Sequence, residues 1–219
     1  MPASNSTHSV NAADYVQILP GDITPEIRRE IEAAGRVAWD IETNGLDPKT
    51  ARIGTCQLFT SEGGAFVVTG LASETPPNLS CLLANASVLK VFHHAPFDLS
   101  FMAASWGASA KNVACTKIAA KLLNPGARAE DYSLKHLMMS NFDLALDKSL
   151  RFTDWLSPDL TRQQVEYAIM DVAKLLDLYD LLRRKLEGRQ LLGLYERCCA
   201  FLSTHVEARL HGVADPFRY

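Results

Sequence analysis

Long apolar runs are missing from this 219-residue chain. No stretch approaches the roughly 18 consecutive apolar residues that a membrane span needs, which excludes a helical membrane protein. The first residues, Met1 to His8, have neither the basic start nor the apolar centre of a secretory signal, so residues 1–24 read as a short flexible leader. Cysteine is sparse and unpatterned. Cys56, Cys81, Cys115, Cys198 and Cys199 are odd in number and show no C-x-x-C spacing, which argues against a disulfide framework and a zinc knuckle and fits reduced thiols in the cytoplasm. Excess positive charge is absent too. With 22 Lys and Arg against 25 Asp and Glu, the net charge is −3, too little basicity for a broad face that grips long polyanions. The densest basic cluster, Arg183-Arg184-Lys185 with Arg189, reads as a solvated helix end. No internal repeat, low-complexity tract or linker divides the chain. What is present, at 47% hydrophobic and 21% charged, suits one domain with a single substantial core over residues 25–219.

Hydrophobic periodicity and turn residues order the elements. Thr24-Pro25-Glu26 opens a helix over 25–34, with proline at its first position. Residues 36–42, 53–60 and 65–69 read as strands, and Ser61-Glu62-Gly63-Gly64 supplies a hairpin turn. An antiparallel meander over 37–69 follows. A helix over 79–84, a buried strand over 87–93 and a helix over 96–106 come next. The remainder is helical: 115–123, 133–140, one long helix over 161–187, and a helical tail over 190–210. The long helix carries an apolar stripe at 165, 168, 169, 172, 175, 176, 179, 182 and 186. The class is α/β, a mixed sheet flanked by helices.

Three short segments gather acids. Asp40 and Glu42 lie two apart on a strand and leave the same face of the sheet. Two like charges side by side repel, and a cation offsets that cost; a strand end emerging into solvent is the plainer account of the same pair. Asp98 falls in the first turn of a helix, where it also complements the dipole. Tyr167 and Asp171 are one helical turn apart, with Asp171 at the edge of the apolar stripe. Asp and Glu without Cys or His companions suit Mg²⁺ or Mn²⁺ rather than zinc. His93 and His94 are adjacent on what reads as extended chain, so one packs inward and one stands near the acids.

Together these residues resemble the DEDD superfamily of 3′–5′ exonucleases. The first motif is Asp40-Ile41-Glu42, the second His93-His94-Ala95-Pro96-Phe97-Asp98-Leu99, and the third Tyr167-Ala168-Ile169-Met170-Asp171. Tyrosine stands four before the last acid and Glu166 occupies the alternative position, so the chain resembles the tyrosine subclass, which includes ribonuclease D. Cys115 to Leu122, Ser133-Leu134-Lys135 and Asp154-Trp155 extend the likeness to the small single-domain nanoRNase C type. Ile41 where threonine is usual, Asn44 in place of leucine and Pro96 in the second motif are departures.

The resemblance implies a ribonuclease H-like fold, an antiparallel meander plus parallel strands flanked by helices. It implies two divalent cations, Mg²⁺ or Mn²⁺. Asp40 would bridge them, Glu42 and Asp171 would complete the ion that activates water, and Asp98 would hold the other. Tyr167 would orient that water, since a phenol of pKa about 10 is a poor general base. Ile41, Thr43, Gly45, Leu46, His93 and His94 are the expected substrate contacts. The substrate expected is single-stranded RNA, above all short oligonucleotides such as dinucleotides, cut to nucleoside 5′-monophosphates. A general exonuclease on longer RNA or DNA, and a catalytically silent binding module, stand as alternatives. A cytoplasmic homo-oligomer without membrane contact completes the expectation.

Overall fold

The computed structural model describes residues 16–147, 149–150 and 153–217. A six-stranded mixed sheet forms its centre: β1 (Val16–Pro20), β2 (Arg36–Thr43), β3 (Ile53–Thr60), β4 (Gly64–Thr69), β5 (Leu89–Phe92) and β6 (Val113–Cys115). Their order across the sheet is β1-β4-β3-β2-β5-β6. β2, β3 and β4 pair antiparallel as the expected meander. β5 and β6 extend the sheet in parallel beyond β2, and β1 pairs parallel with β4 at the other edge.

β1 was not expected. It lies within residues 1–24, read as a flexible leader, and its backbone completes a ladder from Val16↔Ala65 to Pro20↔Thr69. Five residues bounded by proline and glycine give little periodic signal; β4's free edge supplies the reason to order them. The rest of that leader, residues 1–15, lies outside the described residues. β6 was also missed. Cys115 reads as the start of the following helix and Val113 and Ala114 carry no strand signal of their own, whereas pairing with β5 draws all three out.

α1 (Pro25–Ala34) starts where the Thr24 hydroxyl accepts the Ile27 N–H and stops at Gly35, whose φ of 70° suits glycine. α2 (Pro77–Ala84), α3 (Pro96–Trp106), α4 (Thr116–Leu123) and α5 (Leu134–Phe142) follow the expected segments closely. The expected helix over 161–187 is two, α6 (Arg162–Val172) and α7 (Leu175–Gly188). Its apolar stripe runs unbroken through the junction, so periodicity alone hides the break. α6 packs on β2, β3 and β4, whereas α7 packs on β2, β5 and α4. A twisted sheet does not offer one straight axis to both. The tail likewise divides at Phe201 into α8 (Leu192–Ala200) and α9 (Leu202–Leu210). α8 covers the sheet edge, where the Cys115 N–H donates to the Tyr195 hydroxyl at 3.0 Å.

The core runs along the middle of the sheet. Val37, Ala38 and Trp39 of β2 are fully buried, with Trp39 stacked 6.0 Å from Phe92. No helix among the described residues is long and apolar enough to cross a membrane.

Candidate active site

β2 changes character along its length. After the buried Val37-Ala38-Trp39, Asp40 and Glu42 are only partly covered, and pairing with β3 shifts register between Glu42 and Thr43. Glu42 faces Thr55 and Thr43 faces Ile53, which leaves Gly54 as the extra residue of a bulge. Glycine is required here for a second reason. A Cβ on Gly54 would lie 2.0 Å from the carbonyl oxygen of Trp155, so the chain around Trp155 rests directly on the β3 backbone. The fully buried Trp155 ring in turn packs 5.6 Å from Tyr167.

α6 delivers the third motif. Thr161 and Gln164 form a reciprocal capping box at its start. The Gln164 amide also donates to Thr153 Oγ1 and the Asp154 carbonyl, tying the helix to that same segment. Tyr167 and Asp171 are 6% and 8% exposed. Carboxylate oxygens of Asp40, Glu42 and Asp171 lie within 4.8 Å of one another.

Asp98, in the first turn of α3, is buried, and its Oδ1 has no hydrogen-bond partner. Burial first, then the charge of Asp40, holds this carboxyl well above the usual carboxylate range, although the backbone N–H groups of Asp98 and Ile41 pull the other way. A buried carboxyl kept from ionising first by burial and then by an adjacent acid is the electrostatic complement of a cation. The donors are carboxylates, so the group that fits is a hard divalent ion such as Mg²⁺ or Mn²⁺.

All five residues border one cavity of about 630 Å³, together with Ile41, Leu46, His93, His94 and Phe97. Thr43 and Gly45 do not border it. The Thr43 hydroxyl donates to the Gly45 carbonyl at 2.6 Å, bracing the loop that presents the exposed Leu46. Both histidines reach the cavity, contrary to the expectation that one packs away. Alternation fails because the chain is not extended there: His94 has φ 69°, a left-handed turn into Pro96 and α3. His93 Nδ1 lies 2.9 Å from the Thr116 hydroxyl.

Five residues of the cavity were not assigned a site role from sequence: Phe97, Lys117, Ser133, Leu134 and Lys135. A signal for two of them existed. Lys117 and Lys135 sit in the first turns of α4 and α5, where a cation opposes the helix dipole. A charge placed against that field is one that an anion nearby would reward. Burial and the neighbouring Lys121 lower the Lys117 ammonium below its ordinary value.

The strand order and the acids gathered on β2, α3 and α6 are those of a ribonuclease H-like nuclease. Residues 15–187 match the 3′–5′ exonuclease family, and the chain belongs to that family of hydrolases. It is 28% identical over 168 residues to a ribonuclease D of Desulfotalea psychrophila, covering 77% of this chain and 44% of that protein. The chain thus spans less than half the length of this curated relative. Among solved structures, Brucella melitensis NrnC superposes with a TM-score of 0.86 at 31% identity, covering 94% of this chain and 99% of that one. Escherichia coli RNase D shares the fold, with a TM-score of 0.76 at 24% identity over 87% of this chain and 50% of that one.

Proposed function

We propose that the protein is a 3′–5′ exoribonuclease that hydrolyses short RNA oligonucleotides, dinucleotides included, to nucleoside 5′-monophosphates with two divalent cations. The observation that carries this reading is the convergence of three carboxylates within 4.8 Å beside a buried, unpartnered Asp98 oxygen. Such a cluster is costly without cations and suited to two of them. The similar NrnC of Brucella melitensis has been solved with bound Mg²⁺ and with bound pGG, which supports the ion and a short substrate.

Asp40, Glu42 and Asp171 would hold one ion and Asp98, sharing Asp40, the other. When bound, the pair supplies charge stabilisation for the attacking and leaving oxygens of an in-line displacement. The Tyr167 hydroxyl orients the nucleophilic water by hydrogen bond. Lys117 and Lys135 border the same cavity as the acids and bind phosphate oxygens, while Ile41, Leu46, His93 and His94 contact the nucleosides. We read the chain from β1 onward as one catalytic domain with a helical tail, acting in the cytoplasm. The tail's exposed Phe201 and Phe217, with rings 5.6 Å apart, support assembly into a homo-oligomer.

A cleavage time course on end-labelled RNAs of about two, seven and twenty nucleotides tests the function. With Mg²⁺ or Mn²⁺ the dinucleotide should have the highest kcat/KM, and EDTA should abolish all cleavage. Its salt slope should be shallow, roughly −1 to −2 at about −0.7 per phosphate contact. Faster cleavage of the longest strand with a steep slope would make the enzyme a general exonuclease. A folded protein that cuts nothing would be a binding module.

A further inference from the structure

The basic cluster at the end of α7 is exposed at Arg184, Lys185 and Arg189, as expected of a solvated helix end, and it also borders a cavity. Lys185 and Arg189 border a second cavity, of about 900 Å³, between α7, α5 and the loop after α4. Arg128 and His136 line it from the other side. Its one acid, Asp131, is already engaged by Arg128 at 2.9 Å and lies 3.8 Å from His136. Lys185 and Arg189 have no carboxylate partner among the described residues. Instead, Lys185 Nζ donates to Asn141 Oδ1 at 2.9 Å and Arg189 Nη1 donates to the Leu123 carbonyl at 2.5 Å. Neutral acceptors hold both side chains in place without cancelling their charge. Each keeps donors to spare, two of the ammonium's three and four of the guanidinium's five. Lys121, 5.8 Å above the Tyr132 ring that borders the same cavity, adds to the positive field.

For a chain of net charge −3 this is a local reversal of sign. It also adjoins the acids. Ser133, Leu134 and Lys135 of the α5 start border the catalytic cavity, while His136, Leu137, Ser140 and Asn141 border the basic one. At 1.5 Å rise per residue, about 9 Å of helix separates Lys135 from Asn141. α4 links them similarly, with Lys117 on one cavity and Ala120 and Leu123 on the other.

We propose that the cavity bordered by Lys185 and Arg189 is a second phosphate site, which holds the backbone of an oligoribonucleotide on the 5′ side of the bond being cut. The inference rests on the exonuclease reading for the direction of the strand. An unphosphorylated dinucleotide, whose single phosphodiester lies at the acids, has no phosphate left for this site. A heptanucleotide has several. The site therefore strengthens binding of strands longer than two without touching the reacting atoms, and it narrows, without reversing, the dinucleotide's lead in kcat/KM.

Fluorescence anisotropy of a labelled heptanucleotide, in EDTA to prevent cleavage, tests it with Lys185→Gln and Lys185→Arg. Losing one single-strand phosphate contact makes the salt slope shallower by about 0.7 and, at about 0.1 M salt, weakens binding roughly 5-fold. Lys185→Gln should show both changes and Lys185→Arg neither, with cleavage of the unphosphorylated dinucleotide in Mn²⁺ unchanged in each. The salt slope separates charge from a structural effect of the substitution. Equal affinity and equal slope for Lys185→Gln and the unaltered protein would overturn the proposal. If the unaltered protein cuts no RNA while Lys185→Gln still weakens binding, the exonuclease reading fails and the phosphate site stands.

Discussion

Replacing Gly54 by alanine adds one methyl group, and the structure says where its force goes. The new Cβ would sit 2.0 Å from the Trp155 carbonyl oxygen and 2.5 Å from its carbon, against an ordinary contact of 3.4 Å or more. The Trp155 backbone must retreat by about 1.4 Å, because strand β3 is held on both sides and cannot yield. Trp155 carries the ring behind Tyr167, and Gln164 couples the same segment to the start of α6. A shift of that size reaches the phenol. Misplacing a catalytic group by about 1 Å can cost 10²-fold, so kcat for the dinucleotide should fall on the order of 10²-fold while KM changes little. Overpacking should cost about 1–3 kcal/mol of stability, or roughly 2–4 °C in Tm per kcal/mol for a chain of this size. Steady-state kinetics beside a thermal melt measure both. Tyr167→Phe in the Gly54→Ala background decides the route: if the methyl acts through the phenol, the double variant loses scarcely more than either single one. A folded Gly54→Ala protein with kcat within about twofold of the original, or losses that multiply in full, would refute the reasoning.

Tyr167→Phe alone keeps the packing on Trp155 and deletes one hydroxyl, so kcat should drop by roughly 10²-fold with KM nearly constant. Unchanged kcat would leave Tyr167 a packing residue. Asp98→Asn should raise the Tm of the metal-free protein at neutral pH while lowering turnover. Because the Asp98 pKa is raised in the fold, its favourable contribution exists below the ordinary carboxylate range and is lost as pH rises through the folded value. The Tm gap between variant and original should therefore widen from acid to neutral pH in EDTA; a gap that stays flat would count against the burial argument.

Much of this fold was legible because its signals are local. The Thr24-Pro25 start of α1, the apolar runs and glycine turn of β2 to β4 and the Pro96 start of α3 each lie within a few residues of what they specify. The acids were legible for the same reason: Asp40 with Glu42 and Tyr167 with Asp171 need only the repeat of a strand and of a helix to share a face. Non-local causes were not visible. β1 and β6 exist because β4 and β5 present open edges, and five or three residues carry too little periodicity to announce them. The break between α6 and α7 follows from the sheet's twist, which an unbroken apolar stripe does not record. His93 and His94 defied alternation because one left-handed residue replaces the extended chain. Only tertiary packing brought Lys117 and Lys135 to the same cavity as the acids, and set the exposed Lys185 and Arg189 at the border of another. Residue types and their short-range periods set the chemistry available to this chain. Contacts between residues far apart in sequence decided which of those groups meet, since electrostatic work depends on distances through space.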